Sequence, residues 1–121
     1  GNLSIDAPEH SRSDEEGPGL HDQARMILGG LDLYELTLAD QAILASLILS
    51  DAYHQDTFSS RDINDIIVEC GRPRVAHITS AVTGLTSRSY LHADEKSLSL
   101  SPEGRSKARG LIGMIKRKTA A

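Results

Sequence analysis

YLHADEKSLSLSPEGR (residues 90–105) is the stretch on which the reading of this chain turns. Tyr90-Leu91-His92-Ala93 and Ser97-Leu98-Ser99-Leu100 read as two short strands, and in the second Leu alternates with Ser, the period of a strand with one covered face. Asp94-Glu95-Lys96 between them is a short charged turn. Ser101 can then cap a helix, Pro102 suits its first position, and Glu103 lies at its positive end. A small hairpin therefore runs straight into a final helix. That helix turns Ala108, Leu111, Ile112 and Ile115 inward and ends in Lys116-Arg117-Lys118, cations that suit the negative end of a helix.

Upstream, PRVAHITSAVTGLTSRS (residues 73–89) predicts a helix with Pro73 as its first residue. Val75, Ile78, Val82 and Leu85 make one buried face. Before it, Ser59 or Ser60 caps RDINDIIVEC, with Ile63, Ile66 and Ile67 inward and Gly71 as the stop. Thr57-Phe58 is a two-residue extended piece. Thr37 and Asp40 form a capping-box pattern for an earlier helix. Its Leu38, Ala42, Ala45, Leu49 and Ala52, widened by Ile43, Leu44, Leu47 and Ile48, leave it apolar on most of its surface and so central. LHDQARMILGGL (residues 20–31) predicts a short helix ending near Gly29-Gly30, which either docks on the domain or forms only with a partner. Residues 1–19 have almost no large apolar side chains and hold Asp14-Glu15-Glu16, the composition of a disordered acidic tail. The expected organisation is a tail over 1–19, a short helix and linker over 20–36, and one domain over 37–118. The class is mainly α with a small β-hairpin, an α+β arrangement with a three-helix core, the hairpin and a C-terminal helix.

The order helix, short strand, helix, helix, hairpin, helix resembles a winged helix-turn-helix domain. The resemblance is carried by the tight helix–Gly71–helix spacing and by RSYLHADEKSLSLSPEGR (residues 88–105). In MarR- and PadR-like bacterial regulators a similar segment forms the wing and opens the last helix with a Leu-Thr-x-x-Gly motif. Here Leu100-Ser101-Pro102-Glu103-Gly104 stands in that place. The resemblance implies a DNA-binding module of a bacterial transcriptional regulator, with its third helix in the major groove and its wing on the backbone. A protein-docking module of the same fold is the alternative, because fold does not fix function.

Charge is distributed unevenly along the chain. Residues 1–56 hold two basic and eleven acidic residues, a net −9, and residues 57–121 hold eleven basic and six acidic, a net +5. Such a split points to a nucleic-acid or acidic partner. The acidic residues 1–30 could also cover the basic face in the free state. No run is long enough to span a membrane, no basic-then-apolar start indicates a signal peptide, and the lone Cys70 fits a reducing compartment, so the cytoplasm is expected. The five histidines show no HxxxH spacing and there is no CxxC, so no metal is expected. The P-loop, GxSxG and dinucleotide fingerprints are absent, so neither cofactor nor enzymatic activity is expected.

The face of the third helix opposite its apolar stripe is Ala76, His77, Ser80, Thr83, Gly84, Ser87 and Arg88. A helix fits the major groove, where base edges and phosphates take donors from its exposed side. The residues expected to touch double-stranded DNA are Arg72, Arg74, His77, Ser80, Thr83, Ser87 and Arg88, with Lys96 at the tip of the wing. This face lacks Asn, Gln and a mid-helix Arg, so phosphate contacts outweigh base readout. Ala76, Ser80 and Gly84 recur every four residues, a strip that would also let another helix pack closely. Leu111, Ile112, Met114 and Ile115 cover more than one face of the last helix, so a homodimer through it and a monomer are both open.

Overall fold

A helix with apolar residues on every side has to sit in the middle of whatever forms around it. In the computed structural model, which describes residues 19–30 and 36–120 (side chains to 117), the run from residue 38 does this. The elements are α1 (Leu20–Leu28), α2 (Leu38–Asp51), α3 (Ser60–Glu69), α4 (Ile78–Ser87), β1 (Leu91–Asp94), β2 (Ser97–Leu100) and α5 (Pro102–Ala120). The described chain is thus mainly helical with one two-stranded antiparallel hairpin. Nine successive residues of α2, Gln41 to Leu49, are buried, and α1, α3, α4, α5 and β2 all pack on it. Each fully buried Leu or Ile there contributes about 1.5–3 kcal/mol. The buried Ser46 hydroxyl donates to the Ala42 carbonyl at 2.8 Å, so the one hydroxyl in this run is not left unpaired.

The capping box expected at Thr37 and Asp40 forms, and Ser59 is the one of the two candidate serines that caps the next helix. The Asp40 amide donates to Thr37 Oγ1 at 3.0 Å and the Thr37 amide to Asp40 Oδ2 at 3.2 Å. Ser59 and Asp62 make the same reciprocal pair at the start of α3. Ile63, Ile66 and Ile67 point inward from α3, and Gly71 closes that helix at φ 103°. The Gly71 amide donates to Val68 O and the Arg72 amide to Ile67 O, a Schellman end.

The expected start of the next helix is corrected. Pro73 is not its first residue: 72–75 are non-helical, 76–77 form a turn, and α4 begins at Ile78. The reason is Asn64, which is 5% exposed and faces inward from α3. Its Nδ2 donates to the Val75 carbonyl at 2.9 Å and its Oδ1 accepts from the Val75 amide at 2.8 Å. With both backbone groups of Val75 bound to a side chain, that residue cannot enter a helical ladder. Val75, Ile78, Val82 and Leu85 are buried as expected.

The hairpin pairs Leu91 with Leu100 and Asp94 with Ser97. Its first strand starts one residue later than the spacing indicates, and its loop is the two residues Glu95 and Lys96. Glu95 makes this possible by taking φ 58°, the positive value that two-residue hairpin loops require. Phe58 forms an isolated bridge to Leu98 on the other side of β2, with N–O distances of 2.9 and 2.7 Å. At the junction with α5, the buried Ser101 hydroxyl donates to the Ser89 carbonyl at 2.6 Å and accepts from the Gly104 amide at 2.9 Å. A Cβ at Gly104 would land on the Tyr90 carbonyl oxygen, so the glycine of the Leu-Ser-Pro-Glu-Gly run is there for close approach.

Ala108, Leu111, Ile112 and Ile115 of α5 are buried as expected, and Met114 is exposed. Arg105 anchors α5 to the end of α2, donating to Asp51 Oδ2 at 2.7 Å and Ser50 Oγ at 3.2 Å. The core also extends across residue 37: Ala24, Ile27 and Leu28 of α1 belong to the same buried cluster. The tail expected over 1–19 lies, but for Gly19, outside the described residues, as do residues 31–35 of the linker. Among the described residues no helix is long and apolar enough to cross a membrane.

Candidate nucleic-acid interface

The apolar stripe of α4 packs on α2, and this decides what its other side shows. Ala76, His77, Ser80, Thr83, Gly84, Ser87 and Arg88 are all exposed, the full set expected on that face. Thr79 is exposed on its flank, a further hydroxyl outside the expected set. His77 occupies the N-cap position without a side-chain cap. Arg88 is the C-cap, and Ser89 follows in the left-handed region at φ 67°. The Ser89 amide donates to Thr86 O and the Tyr90 amide to Leu85 O, a second Schellman end that turns the chain into β1. The hairpin packs on α4 through β1. Lys96 is exposed in its loop beside exposed Asp94 and Glu95.

The arginines before α4 are placed differently from one another. Arg72 is half-buried, and its Nε donates to the Leu28 carbonyl at 2.6 Å, so it fastens the end of α1. Arg74 is exposed and pairs with Asp65, Nη2 to Oδ1 at 2.7 Å. The Arg88 amide donates to the Gly84 carbonyl at 3.2 Å, while its guanidinium makes no hydrogen bond or ion pair among the described residues. An open cleft of about 430 Å³ separates the start of α2 from residues 72–77, with Leu38, Gln41, Arg74 and His77 on its walls. The structure therefore brings His77, Ser80, Thr83, Ser87 and Arg88 onto one face. Arg74 lies at its start in an ion pair, Lys96 on the adjoining hairpin, and Arg72 is engaged beneath.

Two residues that shape this region escape the sequence patterns. Asn64 is a polar residue between Ile63 and Ile66 on an inward face, and that interruption is the only local sign of its role. Asp65 reads as a helix-surface carboxylate until Val75 is fixed and Arg74 is brought to it. Elsewhere, Tyr53 donates to Glu69 Oε1 at 2.7 Å and Arg25 approaches the same oxygen at 3.3 Å. The Tyr53 bond, with the Arg25 guanidinium, holds the Glu69 carboxyl below its ordinary pKa against an opposing push from burial. Burial pushes the half-buried Cys70 thiol up, against a smaller opposing pull from Arg25 and Arg72. Among the described residues no group of three or more His, Cys, Asp or Glu side chains could hold a metal ion.

No family model, curated protein or solved structure matches the chain.

Proposed function

We propose that this chain is a winged-helix module that binds double-stranded DNA, with α4 in the major groove and the β1–β2 hairpin as a wing on the backbone. A bacterial transcriptional regulator of the MarR or PadR kind is the setting this fold reading suggests. The observation that carries the proposal is the chemistry of the exposed side of α4. It presents hydroxyls, an imidazole and a guanidinium without a partner among the described residues, and none of the large apolar side chains exposed among those residues, which are Met26, Leu38, Tyr53, Val68 and Met114. A protein-docking face draws its core from apolar and aromatic groups, whereas short donors around a cation suit phosphates and base edges. In this reading Ser80, Thr83 and Ser87 donate to the DNA, Arg88 and Lys96 neutralise phosphates, His77 and Arg74 flank the start of the helix, and Arg72 serves as scaffold.

The exposed strip Ala76, Ser80 and Gly84 supports the second reading, a docking module that accepts a partner helix. Nothing lies within 4 Å of a Cβ built on Gly84, so that strip is open.

Fluorescence anisotropy with random-sequence duplex DNA at about 50 and 200 mM salt separates the two. DNA binding requires affinity at the lower salt that falls steeply at the higher. Arg88→Ala should weaken binding across sequences and reduce the salt slope by about 1. Folded protein that binds at neither salt overturns the DNA reading and favours docking.

A further inference from the structure

The turn between α3 and α4 sets a carboxylate beside the interface in a position that bears on its affinity. Asn64 holds Val75 by both backbone atoms, and this fixes the backbone of the neighbouring Arg74. Asp65, the residue after Asn64, then lies with Oδ1 2.7 Å from Arg74 Nη2. The two side chains are 51% and 55% exposed, so the contact is made in reach of an approaching strand. A carboxylate presents to a guanidinium the same pair of anionic oxygens that a phosphate does.

We propose that Asp65 is an internal competitor of DNA phosphate for Arg74: it occupies the guanidinium in the free protein, and Arg74 changes partner on binding. The inference rests on the DNA reading. An exposed ion pair is worth little, so the exchange is inexpensive wherever a phosphate is well placed by the rest of the interface. Where it is not, the pair persists and the charge contributes nothing to the sequence-independent attraction that phosphates exert on cations. Asp65 thereby holds down non-specific affinity.

The test uses the full chain, with Asp65→Asn, Asp65→Ser, Arg74→Ala and the double variant Asp65→Asn/Arg74→Ala, titrated against random-sequence duplex at about 50 mM salt after circular dichroism shows each folded. Both Asp65 variants should bind more tightly than the parent, by up to about fivefold, the ceiling set by the worth of an exposed pair. Arg74→Ala alone should change little, and in the double variant the gain should vanish. Parent-like or weaker binding by the Asp65 variants overturns the inference and leaves the DNA reading standing. A gain that survives in the double variant also overturns it, since it would reflect only the lost negative charge. If no variant and no parent binds, the DNA reading falls and this inference with it.

Discussion

The two ends of α4 are held by different chemistry. At its start, a buried amide from another helix, Asn64, binds both backbone groups of Val75, and His77 supplies no side-chain cap. At its end, the restraint comes from the chain that follows: a Schellman turn through Ser89, the Ser101 hydroxyl between Ser89 and Gly104, and the close fit of Gly104 against Tyr90. The start is a clamp by one side chain, and the end is a series of contacts shared among Ser89, Tyr90, Ser101 and Gly104. The helix offered to a partner is therefore oriented from both sides, but only its start depends on a single side chain.

Substitutions can break this contrast in graded steps. Gly104→Ala drives a methyl into the Tyr90 carbonyl and should lower unfolding stability by about 3 kcal/mol, the upper range for overpacking, read from urea denaturation. Asn64→Ala leaves the buried Val75 N–H and C=O without partners and should cost about 2 kcal/mol. Hydrogen exchange should then accelerate at the Val75 amide well before it does at Tyr90. Ser101→Ala removes the cap of Gly104 while packing stays in place, and should cost about 1 kcal/mol.

Smaller effects sharpen the comparison. Both α3 and α4 close with a Schellman turn, one through Gly71 and the other through Ser89. Ser89→Gly keeps the carbonyl that Ser101 binds and relieves the left-handed backbone, so thermal denaturation should show a gain of about 0.5 kcal/mol. The smallest effect lies away from α4 and serves as its control. The Glu69 carboxyl, held low by Tyr53 and Arg25, contributes stability that is fully present above the ordinary glutamate pKa. That contribution is lost as pH falls through the lowered value. Glu69→Gln should flatten this part of the acid dependence, below the ordinary glutamate range, without altering exchange at Val75.

The reach of each contact along the chain explains which features were legible in the sequence. The Thr37–Asp40 capping box, the serine cap before α3, the Gly71 stop, the apolar stripes and the helix start in the Leu-Ser-Pro-Glu-Gly run are local, and their physics lies within a few residues. The exposed face of α4 followed from periodicity alone, because the stripe fixes what lies opposite. The start of α4 did not. Pro73 is an acceptable first helical residue, but Asn64 reaches across eleven positions to bind both backbone groups of Val75, which lies outside the helix. The engagement of Arg72 with Leu28 and of Arg74 with Asp65 depends on the same tertiary placement. A count of cations along the chain therefore overstated the charge free to meet a phosphate.

The bridge between Phe58 and Leu98 has a consequence for the order of folding. It joins a residue ahead of α3 to one beyond α4, enclosing both helices in a loop of about 40 residues whose closure costs about 3 kcal/mol in chain entropy. Its two backbone hydrogen bonds return only about 2 kcal/mol. The two hydrogen bonds alone therefore do not offset closure of the loop: the bridge holds once Phe58 and Leu98 are buried in the core that α3 and α4 form with α2. Substitutions that weaken the bridge should speed unfolding and leave the refolding rate nearly unchanged.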